Sequence, residues 1–409
     1  MRKAFKYRLY PKKETEKRLY FTLNRCRELY NAALSERKDS YQKHQRTTLV
    51  QNPETGQVVA ATMIARHQVS FVSYYGQKRD LVDIKEDREE YQDIASHVLQ
   101  DVILRVERAF RNFFRRLKNG ETPGFPRFKG RDRYDSFTYP DGAGWKLDGD
   151  RLTLSKIGAS KIKLHRPLEG KIKTVTIKRE VDQWFVVFSC EVDAPEKLPV
   201  SYEDVGIDLG VTHLATLSNG EMIEHPRNAR RAKKILEKRQ QALSRKKKGS
   251  HRRIRAKKLI GRAHKKIRNQ RRDFLHKVSR KLVDRYQVIV FEDLQIKNLV
   301  KRPKAKQNEE TGEYLPNGTA AKGGLNKSIL DAGWGMFMEM VTSKAEGAGR
   351  IIMKVSPKYT SQICSGCGTV RKKTLEERWH SCDCGAELDR DVNAAINILR
   401  LGTSQRSNT

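Results

Sequence analysis

The order of three acidic residues constrains the fold more than any other feature of this 409-residue chain. Asp208 lies in one predicted strand, Glu292 ends a later one, and Asp391 opens the last segment with helical periodicity. Open α/β sheets gather functional side chains at the carboxyl ends of their strands. Ala394 and Ala395 share a helical face with Asp391 and allow close packing on a sheet, which would bring Asp391 towards the other two acids.

Three carboxylates from two strands and one helix supply what a pair of divalent cations requires, namely oxygen ligands, octahedral geometry and room for a substrate phosphate. The expected ions are two Mg²⁺, about 3.5–4 Å apart. Taken singly each acid says little, because an aspartate after a strand is more often a turn former or a helix cap, and Asp389 fits such a cap. The order strand-Asp, helices, strand-Glu, strand, helix-Asp is more restrictive and is typical of a ribonuclease H-like nuclease core.

The chain is strongly basic, with 84 Lys and Arg against 49 Asp and Glu and a formal charge of +35. This surplus indicates a polyanionic partner, by default nucleic acid, although composition alone also fits a ribosomal or chromatin-like protein. Residues 227–281 hold 25 cations and two acids, with a predicted helix break at Gly249-Ser250. Charge runs are usually solvated faces, but this density favours a helical hairpin on a phosphate backbone. Its candidate contacts are Arg245, Lys246, Lys247, Lys248, Arg252 and Arg253.

The first 202 residues predict a β-rich domain interrupted by helices. Apolar residues alternate with cations up to Pro11, as in a strand, and a helical stripe follows. A second helical stripe covers residues 99–117, and Asn119-Gly120 ends it. From 134 to 192, short strand patterns separated by Gly, Pro and Asp predict a small antiparallel barrel or sheet, to which the N-terminal strand can return.

At Tyr202 the pattern changes to that of an α/β domain. Short apolar segments predict strands, and longer periodic segments predict helices. Strands are expected at 205–210, 213–217, 221–224, 287–294 and 350–355, and helices at 334–345 and 390–401. The polar segment 301–322, which contains Gly and Pro, is expected to be mobile.

Two loops stand out in the N-terminal half. The Asn-Pro and Thr-Gly pairs in 51–57 predict a loop. In 123–130, prolines stiffen a loop that displays aromatic and cationic side chains together, which suits stacking on bases and holding phosphates. A packed linker with solvated cations explains the same pattern equally well. The candidate nucleic-acid contacts of this loop are Phe125, Arg127, Phe128 and Lys129.

Four of the six cysteines, Cys364, Cys367, Cys382 and Cys384, crowd together near the end of the chain. In a reducing compartment such clustering indicates a metal site rather than disulfides. Four thiolates would close a tetrahedral, structural site for one zinc ion. The second pair has one intervening residue where two are usual, which strains the knuckle. His380 is a possible substitute ligand, but four thiolates are favoured over any site that includes it.

The sequence predicts neither a membrane span nor a signal peptide. No segment approaches the roughly 18 apolar residues of a membrane span. The N-terminus lacks the continuous apolar core and the small-residue cleavage site of a signal peptide. A cytoplasmic protein with no membrane partner is therefore expected.

Together these motifs resemble the TnpB family of transposon-encoded proteins, which is related to the compact type V CRISPR effectors. The similarity extends over nearly the whole chain. It rests on Tyr7-Arg-Leu-Tyr-Pro11, Phe110-Arg-Asn-Phe-Phe114, Gly124-Phe-Pro-Arg-Phe128, Gly206-Ile-Asp-Leu-Gly210, Asp273-Phe-Leu-His276, Phe291-Glu-Asp-Leu294, the paired cysteines and Asp389-Arg-Asp-Val-Asn-Ala-Ala395.

The resemblance implies an RNA-guided DNA endonuclease that cleaves next to a short DNA motif by two-metal-ion hydrolysis in a single RuvC-like site. Matching motif to motif gives the catalytic, Mg²⁺-binding roles to Asp208, Glu292 and Asp391, with Glu292 rather than Asp293 because the family glutamate leads that pair. The implied partners are a guide RNA from the transposon end and double-stranded target DNA. The oligomeric state stays open, with a monomer favoured, in the cytoplasm of a prokaryote at the nucleoid.

The implied fold class is multidomain α+β. The expected parts are a β-barrel wedge domain (1–11 and 130–202), an inserted helical recognition lobe (12–129), a RuvC-like, RNase H-like α/β nuclease domain (203–359 and 389–409) and an inserted zinc ribbon (360–388). The recognition lobe would read the short DNA motif, with Gln100 as the candidate base contact. Segment 301–322 would alter the lid near the active site.

Two other functions stay open at this point. A nuclease-inactive, RNA-guided DNA-binding regulator would use the same basic surfaces, but it predicts that one of the three acids is missing, and none is. A transposase would join DNA ends through the same carboxylates, and it predicts strand-transfer products.

Overall fold

The computed structural model describes residues 1–43, 45–51, 58–64, 72–122, 124–374 and 376–407. Apart from Gln51, which ends a strand, the loop predicted at 51–57 lies outside these residues. The chain divides into two compact units, Met1–Asp193 and Ala194–Thr409. Among the helices that the structure describes, none is both long and apolar enough to cross a membrane.

The first unit contains a seven-stranded sheet. Along the chain, its helices come after the first strand of this sheet and before the other six strands. A single 3-10 turn, Glu89–Tyr91, precedes the last of these helices. The elements are β1 (Arg2–Tyr10), α1 (Lys13–Lys43), β2 (Gln45–Gln51), β3 (Val58–Ile64), α2 (Tyr74–Arg79), α3 (Leu81–Asp87), α4 (Ser96–Lys118), β4 (Ser136–Tyr139), β5 (Trp145–Asp148), β6 (Arg151–Leu154), β7 (Gly158–Lys163), β8 (Lys171–Glu180) and β9 (Gln183–Glu191). Strands β2 and β3 pair as a hairpin, and the sheet has the order β4-β8-β9-β1-β7-β6-β5.

The N-terminal strand β1 lies in the middle of this sheet, antiparallel to both β7 and β9. Phe5, Tyr7 and Leu9 on its inner face are buried, so the predicted return of this strand is confirmed. Strands β4 and β5 form the two edges, and the described residues therefore make an open sheet instead of the predicted closed β-barrel. Closure requires hydrogen bonds between the two edge strands, which no alternation pattern in the sequence encodes.

Helices α1 and α4 pack their predicted apolar stripes into the core of the first unit. The stripe of α1, from Leu19 to Leu34, is buried, as is that of α4 from Leu99 to Phe113. Leu117, which was expected to continue the second stripe, is 46% exposed. It lies in the last turn of α4, where the helix runs beyond the core.

The second unit combines a mixed sheet with helices, as predicted for an α/β domain. Its elements are β10 (Asp204–Asp208), β11 (His213–Leu217), β12 (Met222–Glu224), α5 (Asn228–Arg231), α6 (Lys233–Ser244), α7 (His251–Arg285), β13 (Val288–Glu292), α8 (Ile296–Leu299), β14 (Lys306–Gln307), β15 (Tyr314–Leu315), α9 (Thr319–Ala332), α10 (Trp334–Ala348), β16 (Ile351–Val355), β17 (Trp379–Ser381), β18 (Glu387–Asp389) and α11 (Arg390–Ser407). The main sheet has the order β12-β11-β10-β13-β16. Strands β10, β13 and β16 are parallel, whereas β11 and β12 are antiparallel to their neighbours.

Helices cover both faces of this sheet. Ile289 and Phe291 of β13 face the core that α7 and α10 complete, while Val288 and Val290 face Ile398 of α11. Alternation along a strand sends successive side chains to opposite faces, which is why this strand is apolar throughout.

Candidate active site

Two parallel strands bring Asp208 and Glu292 to the same edge of the main sheet. Asp208 ends β10 and Glu292 ends β13. The register pairs Ile207 with Phe291, each one residue before its acid. These two apolar residues are fully buried, whereas both acids are partly exposed. The buried halves of the strands therefore fix the backbone that presents the two carboxylates.

Helix α11 carries Asp391 to this edge because it packs very closely on β10. A Cβ added to Gly206 would lie 2.1 Å from the carbonyl oxygen of Ala395, so only glycine fits beneath the helix. The Oδ2 atom of Asp391 lies 4.0 Å from the position that a Cβ on Gly210 would occupy. Gly210 follows Asp208 by two residues, which places Asp391 beside the end of β10.

Asp389 caps α11, which agrees with the interpretation that the sequence offered. Its Oδ1 atom accepts the backbone N–H groups of Asp391 at 2.8 Å and Val392 at 3.3 Å. Such a cap satisfies N–H groups that have no partner within the helix, and it fixes the orientation of the first turn. Asp391 lies in this turn and is thereby held in place.

The pKa of Asp208 reflects the charges of the other two acids. Burial, then the charge of Glu292, then that of Asp391 raise the pKa of Asp208 well above its usual value, and nearby Arg390 opposes the increase. Burial also raises the pKa of Glu292, against a hydrogen bond from Thr360. Burial is likewise the largest cause of the raised pKa of Asp391. Carboxylates that oppose one another's ionisation favour a bound cation.

The donor set fits a hard divalent cation, because all three side chains offer carboxylate oxygens. The carboxylates are nevertheless less tightly grouped than the cysteines. Within the ranges that the structure describes, three or more potential ligand atoms lie within 4.8 Å of one another only at the four cysteines. Asp208, Glu292 and Asp391 therefore lie at one sheet edge without forming so compact a group.

The Sγ atoms of Cys364, Cys367, Cys382 and Cys384 all lie within 4.8 Å of one another. The Cys364–Cys384 and Cys367–Cys382 pairs are both 3.6 Å apart. Zn–S bonds of about 2.3 Å in a tetrahedron separate the sulfurs by about 3.8 Å, so the cluster fits zinc. The single residue between Cys382 and Cys384 does not prevent this approach.

Hydrogen bonding within the cluster favours the thiolate form of Cys367. Thr369, through its side chain and then its backbone N–H, lowers the pKa of Cys367 to about 6, with smaller contributions from Cys382 and Cys384. His380, the alternative ligand, is fully buried in β17, and its Nδ1 atom contacts Nζ of Lys373. The geometry is therefore that of four sulfur ligands, the set that the sequence favoured.

The basic segment forms two helices, α6 and α7, on either side of the predicted break. Gly249 has a φ of +83°, and the Ser250 side chain caps α7 by accepting the N–H of Arg253 at 3.2 Å. Arg253 also donates to the carbonyl oxygens of Leu243 and Lys246, both at 2.9 Å, and so closes the end of α6. Five of the six predicted contacts are exposed, namely Arg245, Lys246, Lys247, Lys248 and Arg252.

The predicted aromatic loop divides into a packed part and an exposed part. Pro123 lies outside the described residues, and Phe125 packs edge-on against Phe113 with ring centroids 4.8 Å apart. Phe128 is 48% exposed, and Nζ of Lys38 lies 4.6 Å from its ring centroid. Phe128 is therefore accessible to a base, with Lys38 beside its ring, whereas Phe125 packs against the core.

The other predicted contacts of the first unit have different surroundings. Arg127 is exposed, whereas the backbone of Lys129 is held by both atoms of the Asn31 side-chain amide, at 2.8 Å and 3.0 Å. Gln100 lies in the second turn of α4 and is partly buried. Arg127 and Phe128 are thus the exposed members of this group.

Some candidate residues were not identified from the sequence. A cavity of about 650 Å³ in the first unit is lined by aromatic and charged side chains, among them Tyr41, Arg111, Phe114 and Arg115. The Phe-rich motif in α4 is the sequence signal for this cavity, but the apolar stripe of the helix indicates only its buried face. Thr360, which hydrogen-bonds Glu292, carried no signal because the two residues are 68 positions apart.

Family models match three parts of this chain. A family model described as "Probable transposase" matches residues 187–303, a second described as "Cas12f1-like, TNB domain" matches residues 334–398, and a third described as "Helix-turn-helix domain" matches residues 1–46. The described residues of 1–46 form β1, the single long helix α1 and the start of β2, so that third description does not fit the structure.

Two relatives match almost the entire chain. "Putative RNA-guided DNA endonuclease" of Streptomyces pristinaespiralis is 34% identical over 98% of this chain and 90% of its own length. "Putative RNA-guided DNA endonuclease InsQ" of Escherichia coli K12 is 32% identical over 98% of this chain and 92% of its own length. The resemblance seen in the motifs is confirmed, and the chain belongs to the TnpB family. The "Structure of the mini-RNA-guided endonuclease CRISPR-Cas_phi3" matches 98% of this chain and 92% of that chain at 10% identity, with a TM-score of 0.47, too low to define the fold.

Proposed function

We propose that this protein is an RNA-guided DNA endonuclease of a transposable element, with one carboxylate active site. The observation that carries the proposal is the meeting of Asp208, Glu292 and Asp391 at one sheet edge, where the charges of two act on the third. The names of the two full-length relatives supply the substrate class. A charge of +35 suits a protein that holds two polyanions at once.

The order of the main sheet supports a RuvC-like, RNase H-like nuclease domain built from 203–359 and 389–409. Three antiparallel strands, β12, β11 and β10, continue into the parallel strands β13 and β16. The acids then come from the first strand, the fourth strand and the last helix in chain order. This arrangement supports the nuclease core that the order of the acids in the sequence predicts.

Asp208, Glu292 and Asp391 would hold two Mg²⁺ ions in this proposal. Bound there, the ions would activate water and stabilise the leaving 3′ oxygen, giving 5′-phosphate ends. The protein itself contributes orientation, since Thr360 holds Glu292 and Asp389 holds the turn that carries Asp391. No side chain is required as a covalent nucleophile.

The four cysteines would hold one structural zinc ion in a ribbon formed by residues 360–388. Their mutual distances support this assignment, because four sulfurs this close can bind one tetrahedral ion as thiolates. Proton release on binding makes the affinity of such a site fall in acid.

Guide RNA from the transposon end and double-stranded target DNA are the proposed partners. A wedge (1–11 and 130–202) and a recognition lobe (12–129) would bind them, and all of the lobe and most of the wedge lie in the first unit. Gln100, Arg127 and Phe128 are the proposed nucleic-acid contacts of this part of the chain. Base pairing would select the target while the protein binds the heteroduplex by its backbone and shape. One chain supplies all three acids, so a monomer is sufficient for the reaction. The proposed location is the nucleoid, where the target DNA lies.

A cleavage assay with the purified guide complex tests this function. The parent is expected to cut DNA that carries the guide-matched sequence beside the short motif, while Asp208→Ala and Glu292→Ala leave the DNA intact. Asp293→Ala is the matched control, because Asp293 adjoins Glu292 but is exposed. Cutting by Asp208→Ala at the parental rate would show that the active-site assignment is wrong.

The description "Probable transposase" of one matching family model makes strand transfer the second candidate. The same carboxylate geometry serves hydrolysis and transfer to a DNA 3′ hydroxyl. Labelled donor ends are therefore included in the assay. Joined donor–target products would support a transposase, and guided breaks without such products support the nuclease.

A further inference from the structure

A chain of buried and partly buried hydrogen bonds connects the four-cysteine cluster with the carboxylate site. It begins at Thr360, which is 3% exposed and donates its Oγ1–H to Oε1 of Glu292 at 2.6 Å. Thr360 comes four residues before Cys364 and belongs to the segment that joins β16 to the first cysteine pair. The Thr360 hydroxyl group thus connects the segment before Cys364 with Glu292, a proposed Mg²⁺ ligand.

Two buried asparagines hold that segment on helix α11. Nδ2 of Asn397 donates to the carbonyl oxygens of Thr360 at 2.9 Å and Ile363 at 2.7 Å. Asn393 uses both ends of its amide, since Nδ2 donates to Ile363 O at 2.8 Å and Oδ1 accepts the N–H of Ser365 at 2.9 Å. Ile363 and Ser365 are the two neighbours of Cys364, so α11 holds the backbone on both sides of that cysteine.

The same helix also carries a carboxylate of the site. Asn393 follows Asp391 by two residues, and Asn397 lies one helical turn after Asn393 on the same face. Both asparagines are buried, where a carbonyl or an amide left without its partner is costly. Helix α11, the Cys364 loop and Thr360 therefore have to keep one mutual arrangement.

We infer that the four-cysteine cluster is a positioning element of the carboxylate site and that Thr360 is the positioning residue for Glu292. A closed zinc site would fix the Cys364 loop, the asparagines would pass this constraint to α11 and Thr360, and Thr360 would hold one oxygen of Glu292 in the direction that metal binding needs. Groups that orient a metal ligand in this way typically change metal affinity or activity about 10–100-fold when they are replaced.

This inference rests on the proposed Mg²⁺ role of the three acids, and Mn²⁺ binding tests it without any cleavage step. Mn²⁺ is titrated into the full-length protein and the free ion is followed by electron paramagnetic resonance. Asp208→Asn defines the signal that belongs to the carboxylate site. Thr360→Val keeps the shape of the side chain and removes the hydroxyl, whereas Thr360→Ser keeps the hydroxyl and is the matched control.

Thr360→Val is expected to weaken Mn²⁺ binding by about 10–100-fold, with Thr360→Ser within about threefold of the parent. In guided cleavage, kcat should fall by a similar factor and the Mg²⁺ concentration needed for half-maximal activity should rise. The KM for target DNA should be unchanged. Parental Mn²⁺ affinity in Thr360→Val would overturn the role of Thr360, as would equal losses in both variants.

Cys367→Ser tests the cluster itself, because Cys367 is exposed and makes none of the bonds in this chain of contacts. Its zinc content should fall, and Mn²⁺ affinity at the carboxylates should fall with it. Loss of zinc with parental Mn²⁺ affinity would overturn the positioning role of the cluster, and this variant decides the matter if Thr360→Val does not fold. A parent that binds Mn²⁺ but cuts no guided target would refute the proposed function alone, whereas a parent that binds no Mn²⁺ would refute both.

Discussion

At the scale of single residues, Asp208 carries the largest electrostatic cost of the site. Burial and the charges of Glu292 and Asp391 raise its pKa, so its ionised form destabilises the metal-free protein. The stabilisation that the protonated form provides is complete below the pKa of an unfolded aspartate, and it is lost as the pH rises through the higher folded pKa. The free energy of unfolding of the metal-free protein should therefore fall over that pH interval.

Asp208→Asn is expected to remove this part of the pH dependence. At neutral pH it should raise the free energy of unfolding of the metal-free protein by roughly 0.5–2 kcal/mol while abolishing cleavage, as stabilising changes at active sites do. Urea denaturation in chelator at several pH values measures the effect. Asp293→Asn is the control, and an equal gain in that variant would assign the effect to general surface charge.

At the residue level, the sequence patterns located the elements that carry the three acids, whereas the roles of these acids stay a prediction. Asp208 and Glu292 each end a buried strand, and Asp391 sits on a helix face with two small residues, so local patterns locate all three. No local pattern identifies Thr360, because its partner Glu292 is 68 positions away in the chain. The aromatic ring of Phe125 is packed in the core because of α4, which no local pattern reveals.

At the scale of elements, the close approach of α11 to β10 determines where Asp391 lies. Gly206→Ala would place a methyl group 2.1 Å from the carbonyl oxygen of Ala395, and backbone atoms cannot yield as a side chain can. A loss of about 1–3 kcal/mol or more in the free energy of unfolding is expected, together with reduced cleavage.

Gly324→Ala is the matched control for that substitution. Gly324 is exposed in α9, and an added Cβ there meets no atom within 4 Å. A gain of about 0.4–1 kcal/mol is expected because alanine restricts the unfolded chain. Chemical denaturation of both variants makes the comparison, and a Gly206→Ala protein as stable as the parent would contradict the packing of α11.

The turn between α6 and α7 presents cations to solvent, and its role is measurable through salt dependence. Replacing Lys246, Lys247 and Lys248 by alanine should weaken guide-RNA binding and lower the slope of log K against log salt by about 2, since each lost phosphate contact on a single strand removes about 0.7. The control replaces three exposed lysines of another segment, Lys301, Lys304 and Lys306. Equal slopes for the two triple variants would mean that the turn makes no special contact.

The elements that sequence patterns located are those with a clear period, above all α1, α4 and the buried strands. The strand patterns left a barrel and an open sheet as alternatives, because alternation specifies the faces of a strand but not its neighbours at the edges. The barrel that the resemblance implied is not closed in the described residues. Helix α9 begins inside the segment expected to be mobile, and its run of small and polar residues lacks the apolar stripe by which helices are recognised. Both features depend on contacts made elsewhere in the fold.

At the scale of the whole molecule, each unit has a core made of its own residues. The core of the first unit uses residues from Phe5 to Cys190, and the strand that completes its sheet is the first one in the chain. Fragment 1–193 should therefore fold alone and unfold cooperatively in urea, with two-state behaviour seen by circular dichroism and by tryptophan fluorescence. It should bind nucleic acid in a salt-dependent way and cut none, because the three acids lie in the second unit.

A shorter fragment, 11–193, is the control that makes this prediction specific. It lacks β1, whose removal leaves β7 and β9 without the strand between them and takes Phe5, Tyr7 and Leu9 out of the core. Burial of such side chains is worth about 1.5–3 kcal/mol each, so their joint loss is comparable to the whole stability of a domain of this size. Fragment 11–193 should be unfolded, and restoring residues 1–10 as a separate peptide should recover part of the cooperative transition. A stable 11–193 fragment would show that β1 belongs to the sheet but is not needed for its folding.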